Sequence, residues 1–191
     1  MNKILTYILC LSIAVISAEG IIVDGNLDEP EWEDAYIIDE YYEAVPYTLK
    51  TPDVKTVTRI ISNEEGIYIG FTNFQDNASM LSNKSMRDEI PNNAEQNGVA
   101  IDFDGDGLKA YMFFATLANI QGDGVRPLGG WPEFDWDGDW DVKMKKYDGY
   151  WVSEFLIPWN VVLMKNVDTC LLYTSDAADD SLRVDLGGRR I

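Results

Sequence analysis

Three carboxylates on alternate residues, Asp102, Asp104 and Asp106, lead into Gly107, a pattern that can wrap a hard cation as the first half of an EF-hand loop does. Like charges ~6 Å apart repel by roughly 1–3 kcal/mol per pair at surface-like dielectric, and a calcium ion would reverse that penalty. The residue at the twelfth position of such a loop is Phe113, so the bidentate glutamate is missing, and the flanks read as strands. Two expectations follow: calcium held by Asp102, Asp104 and Asp106, or a solvated Asp-Gly hairpin turn.

A second stretch, Trp131-Pro132-Glu133-Phe134-Asp135-Trp136-Asp137-Gly138-Asp139-Trp140-Asp141, alternates rings with acids. Sugars present a flat face of C–H groups ringed by hydroxyls, and proteins hold them with exposed aromatic plates beside carboxylates and amides. Trp131 and Trp136 are the expected plates, with Asp135 and Asp137 as hydroxyl partners. Trp140 opens an alternation with Val142 and Met144 and is expected to face the core. The competing reading is that these tryptophans simply pack. Glu95 is a fifth expected saccharide contact and, with Arg87 and Asp88, could line a cleft, although an exposed ion pair explains Arg87 and Asp88 as well. Glu154 shares a strand face with Val152 and Leu156. If that face is buried, Glu154 needs a partner, with Arg59 and Lys143 as candidates; otherwise Trp151, Phe155 and Ile157 face the core and Glu154 faces water.

The chain has no histidine, which excludes a Ser-His-Asp triad, a Cys-His pair and any His-based metal site. A formal charge of −18 argues against nucleic acid and anionic lipid as partners. Acidic excess together with 12% aromatics is not a disorder signature. It suits an exported protein that keeps itself soluble, binds divalent cations, or both. Paired carboxylates could hydrolyse glycosides without histidine, but nothing in the sequence selects one pair.

The elements that must position these residues read as β. Lys55–Ser62 is rich in branched residues, Asn63–Gly66 is a turn, and Ile67–Phe74 alternates with Ile67, Ile69 and Phe71 on one face. Gln75–Asn97 is a long polar segment of the kind that is functional or mobile; its Asn77-Ala78-Ser79 and Asn83-Lys84-Ser85 match the glycosylation pattern and read as loop composition. Gly98–Phe103 and Lys109–Thr116 flank the aspartate turn, with Tyr111, Phe113 and Ala115 on one side. Trp140–Lys145 and Tyr150–Ile157 form a hairpin about Asp148-Gly149. Pro158 ends that strand ahead of a helical turn within Trp159–Met164. At the front, Val23–Trp32 predicts a strand, an Asp24-Gly25 turn and one helical turn. Asp28 is its expected cap, Glu31 completes a capping box, and Trp32 is its anchor. Seven or more short strands with Gly-rich turns predict an all-β, jelly-roll-like β-sandwich of antiparallel strands with one or two short helical turns.

Four blocks, in order, resemble the family-9 carbohydrate-binding-module-like domains: "VDGNLDEPEW" from Val23, "RIISNEEGIYIGF" from Arg59, "GVAIDFDGDGLKAYMFFATLANIQGDGV" from Gly98 and "GYWVSEFLIP" from Gly149. The resemblance covers nearly all of Ile21–Trp159 and is similar in particular to modules at the front of longer exported proteins, some ending in an outer-membrane barrel. It implies a non-catalytic sandwich that binds polysaccharide or oligosaccharide. It also implies a tryptophan shortly before the third block and an acid where that block begins. This chain has Pro91–Gly98 there, with no aromatic and with Glu95 out of register.

Met1–Ala18 reads as a cleaved secretory signal: Lys3, an apolar run, then Ile16-Ser17-Ala18, too short for the ~20 residues of a spanning helix. Cys10 leaves with it and Cys170 lies in an anomalous tail, so no disulfide is expected in the mature domain. From Cys170 the composition changes abruptly. Cys170–Asp180 and Val184–Ile191 fit a translated sequencing-library adapter, so residues 170–191 are expected to be non-native and the domain to be residues 19–169. The function expected is carbohydrate binding by an exported module, calcium-stabilised, within a larger carbohydrate-catabolic or outer-membrane protein. The alternative is a module without sugar affinity that packs on a downstream domain, and a third reading is a fragment of a glycoside hydrolase.

Overall fold

The computed structural model describes residues 20–43, 48–89 and 93–164, and two strands beyond them, 171–175 and 182–185, as backbone. The expected signal segment, Met1–Ala18, and the boundary at Thr169 lie outside the described residues.

Hydrophobic alternation is answered by two antiparallel sheets. The first has the order β1 (Tyr36–Ile38), β2 (Lys55–Ser62), β3 (Gly66–Phe74), β8 (Tyr150–Pro158), β7 (Asp141–Tyr147). The second has the order β10 (Leu182–Asp185), β9 (Leu171–Ser175), β4 (Gln96–Asp102), β5 (Lys109–Thr116), β6 (Gln121–Pro127). The residues expected to share inner faces do so: Ile67, Ile69 and Phe71 from β3, Phe113 and Ala115 from β5, and Trp151, Phe155 and Ile157 from β8 build one core between the sheets. Trp140 joins it as expected, its ring stacked on Phe155 with centroids 5.7 Å apart. This is the all-β sandwich that the strand pattern predicts, and the helical elements among the described residues are two 3-10 turns, Pro30–Asp34 and Trp159–Val161.

β1 and β6 were not foreseen. β6 reads Gln-Gly-Asp-Gly-Val-Arg-Pro, with two glycines and few residues of high strand propensity. Gly124 is nevertheless required, because a Cβ there would meet the Glu133 carbonyl oxygen at 2.5 Å. β9 pairs with β4 from Leu171 opposite Asp102 to Ser175 opposite Gly98.

The front segment departs from expectation in two respects. Ile21–Val23 makes no strand, and the 3-10 turn is preceded by Glu29, not Asp28, with no side-chain cap. The Glu29 carboxylate instead accepts bonds from the Ile22 N–H and Trp32 Nε1, both at 3.1 Å. The segment lies as a strap across the outer face of the first sheet, where Ile21, Trp32, Tyr68 and Leu156 form a second small core. Gly70 makes room for Leu27, whose two methyl carbons would stand 2.6 and 2.7 Å from a Cβ at that position.

Glu154 lies under this strap, fully buried. Both alternatives for its strand therefore hold in part: Trp151, Phe155 and Ile157 do face the core, yet Glu154 faces no water. Its partners are neither Arg59 nor Lys143. Oε2 accepts the Asp24 and Gly25 backbone N–H groups at 2.9 and 2.8 Å, while Oε1 has no hydrogen-bond partner. The Asp24-Gly25 turn predicted from sequence thus has a further task, with Gly25 at φ +84°.

Candidate functional site

The acidic–aromatic stretch runs along the free edge of β6. Val125 and Glu133 exchange both backbone bonds at 2.8 Å, which places the chain antiparallel to β6 before it crosses to become β7. An extended chain sends alternate residues to opposite sides. Glu133, Asp135, Asp137, Asp139 and Asp141 are all exposed, whereas Trp136 and Gly138 are half-buried and Trp140 is buried. The acids therefore form an outward row, and the even-numbered side chains from Trp136 onward turn toward the sandwich.

Trp131, ahead of this row, is 89% exposed, as the sequence predicts. Trp136 is not the free plate expected. Its ring meets Tyr111 edge-on at 4.8 Å and Phe113 at 5.7 Å, and it leans over Gly138, where a Cβ would meet its Cη2 at 2.5 Å. Phe134, two residues earlier, is 47% exposed and meets Phe114 instead, so the inward turn begins at Trp136.

Arg87 is more than half of an exposed ion pair. Its Nη2 reaches Asp123 Oδ2 at 2.7 Å and also Asp137 Oδ1, its Nη1 donates to Gln121 Oε1 at 3.1 Å, and its Nε lies 3.8 Å from Asp88 Oδ2. Asp123 is fully buried and also accepts Trp140 Nε1 at 2.7 Å. Burial pushes the Asp123 carboxyl up from its ordinary value, opposed by the Trp140 bond and the Arg87 charge. Asp88 bonds back to β6 by its N–H to Gln121 O and its Oδ1 from Asp123 N, both at 3.1 Å, with a left-handed φ of 63°. Asp123 and Gln121 were not singled out in the sequence; the one signal available was an acid between two glycines in an otherwise polar run.

Glu95 stands elsewhere. Its Oε1 accepts Gln75 Nε2 at 2.8 Å, and Gln75 Oε1 accepts Trp151 Nε1 at 3.1 Å. Behind that rim, Thr56, Asn73, Asn97 and Ser153 form a buried hydrogen-bonded net joining the two sheets. Glu95 bonds Leu117 at the β5 terminus, the end where β6 begins, whereas Trp131 precedes the Glu133 bridge near the far end of β6. Gln121 and Val125 alone are separated by about 14 Å of strand. The five residues proposed from sequence thus do not share one rim: Glu95 and Asp137 sit at one end of the second sheet, Asp135 and Trp136 midway, and Trp131 beyond.

The aspartate turn is held by its own backbone. Asp102 is buried, and its two oxygens accept the Gly105 and Gly107 N–H groups at 2.9 and 2.7 Å. Asp106 caps Leu108 N at 2.9 Å. Among the described residues no three acidic side chains converge on a point able to hold a metal. Backbone donors offset the charges of the turn, as does Lys109, whose pKa is raised chiefly by its bond to Tyr111, with Asp104 and Asp106 contributing.

No family model matches the chain and no curated protein matches it. Solved structures do. The chain is similar to a carbohydrate binding module family 9 from Caldicellulosiruptor kristjanssonii in complex with cellotriose, with a TM-score of 0.54 and 13% identity over 86% of this chain and 77% of that one. It is also similar to a family 9 module from the same organism in complex with glucose, with a TM-score of 0.55 and 11% identity over 85% of this chain and 79% of that one. At such identities the likeness concerns the backbone, and the fold is that of the family 9 carbohydrate-binding modules.

Proposed function

We propose that this chain is a non-catalytic module of a larger exported protein that binds neutral saccharides along the β6 edge. The observation that carries this reading is Trp131, an indole 89% exposed in front of an outward row of carboxylates. Indole offers a flat apolar face to sugar C–H groups, and carboxylates accept sugar hydroxyls. The reading is supported by the ligands of the two similar structures, cellotriose and glucose. A neutral ligand follows from the charge, since −18 repels uronate and sulfated glycans. The proposal does not call on calcium: Asp102 and Asp106 accept backbone N–H groups of their own turn.

The test is isothermal titration of cellotriose, glucose and short xylo-oligosaccharides into the protein, with tryptophan emission followed in parallel. Saturable binding with a shift in emission is expected, and neither signal with any of these sugars rejects the reading. A second reading, docking on a neighbouring domain, is favoured by the ring row Phe74–Tyr150–Tyr147 on the outer face of the first sheet, with centroids 6.2 and 4.6 Å apart.

A further inference from the structure

We infer that Arg87 is the positioning residue of the saccharide-binding edge, clasping the acidic–aromatic segment and its own segment, residues 75–89, onto β6; this rests on the carbohydrate reading above. A guanidinium has five N–H donors in a fixed fork. Here three hydrogen bonds go to Asp123, Asp137 and Gln121, and Nε faces Asp88 at 3.8 Å. All three bonds tie Arg87 to its own chain, so it acts through what it holds. The partners come from separate parts of the chain, 34, 36 and 50 residues from Arg87 for Gln121, Asp123 and Asp137.

Two further observations place the clasp at a point of tension. Asp88, the next residue, is held at φ 63°, a conformation that costs a non-glycine residue free energy and persists only where its surroundings fix it. Asp123 is fully buried and its Oδ1 has no hydrogen-bond partner. Arg87 is therefore the cation that makes this buried carboxylate tolerable. Asp137 lies between Trp136 and Gly138 in sequence. Holding it fixes the alternation that seats Trp136 on Tyr111 and presents Asp135 outward. Released, the segment would carry five acids on alternate positions with no cation to hold them in register.

The experiment titrates cellotriose into folded wild type, R87M, R87K, D137N and R87M/D137N, well below each melting temperature, with near-UV circular dichroism as the tryptophan readout. R87M is expected to bind at least about tenfold more weakly, with a reduced near-UV tryptophan signal. R87K is expected to recover part of the loss, because an ammonium satisfies one carboxylate but not the fork. D137N removes a partner that is 75% exposed, so it should fold normally, bind more weakly, and add nothing in the R87M background. Wild-type affinity in folded R87M overturns the inference and leaves the carbohydrate reading standing. Full additivity of the R87M and D137N losses means that the two residues act independently and overturns it too. Wild-type protein that binds no saccharide overturns both.

Discussion

Burial of the Glu154 carboxyl under the strap drives its pKa up from 4.5 to about 7, against the pull of the Gly25 and Asp24 N–H bonds and helped by the nearby Glu29 and Asp24 charges. The folded protein therefore holds this proton more tightly than the unfolded chain. The associated stability is fully present below about pH 4.5 and is lost as the pH rises through about 7. At 1.36 kcal/mol per unit the loss is on the order of 3 kcal/mol. Stability measured by urea denaturation of wild type and E154Q isolates this group from the other acids. Between pH 8 and pH 4.5 the difference should move by about 3 kcal/mol in favour of wild type, and a difference that stays flat contradicts the assignment. Tryptophans divide at the same scale. W131A removes an exposed ring, so its stability should stay within about 0.5 kcal/mol of wild type while sugar affinity falls. W136A empties a site against Tyr111 and Phe113 and should cost about 2–4 kcal/mol. Sequence assigned the two rings one role because both sit among Gly, Pro and Asp. What separates them is the packing of Trp136 against Tyr111 and Phe113 of β5, a tertiary contact that no local pattern encodes.

Among the elements, the strap is the one whose sequence is most legible and most easily misread. Val23–Trp32 announces a turn, a helical turn and an anchoring tryptophan, and all three exist. The cap does not, because Glu29 is drawn to the Ile22 N–H and Trp32 Nε1, and the Asp24-Gly25 amides serve a carboxylate some 130 residues away. No local pattern encodes that distance. Gly70, opposite Glu154 in the ladder, completes the seat. G70A should destabilise the protein by about 1–3 kcal/mol and speed hydrogen exchange at the Gly25 amide, since Leu27 must lift. L27A frees the same space, so the double variant should lose less than the sum of the two single losses; strict additivity would mean that Gly70 and Leu27 do not compete. Strands with branched or aromatic alternation, β2, β3, β5 and β8, were placed to within about two residues by period alone. β6 was not, because Gly124 answers to the Glu133 backbone and Asp123 to Arg87. Those are demands of tertiary contact and not of propensity.

For the whole molecule, a two-sheet sandwich carries a formal charge of −18, and Arg87 gathers ion pairs to Asp88, Asp123 and Asp137. Self-repulsion of this kind is screened by salt. The melting temperature should therefore rise between about 0.01 and about 0.3 M sodium chloride, and a fall would mean that the Arg87 cluster outweighs the global field. Fold class was readable because strand period and turn chemistry are local. The edge was readable only as a composition, since its geometry depends on a loop, a strand and a crossover meeting at one guanidinium. The most direct check on the account is a calorimetric titration of cellotriose into wild type and W131A side by side. Wild type should bind saturably, and W131A, equally stable, should show no measurable heat of binding. Equal binding by both proteins, or none by wild type, would contradict the claim that this edge is the saccharide surface.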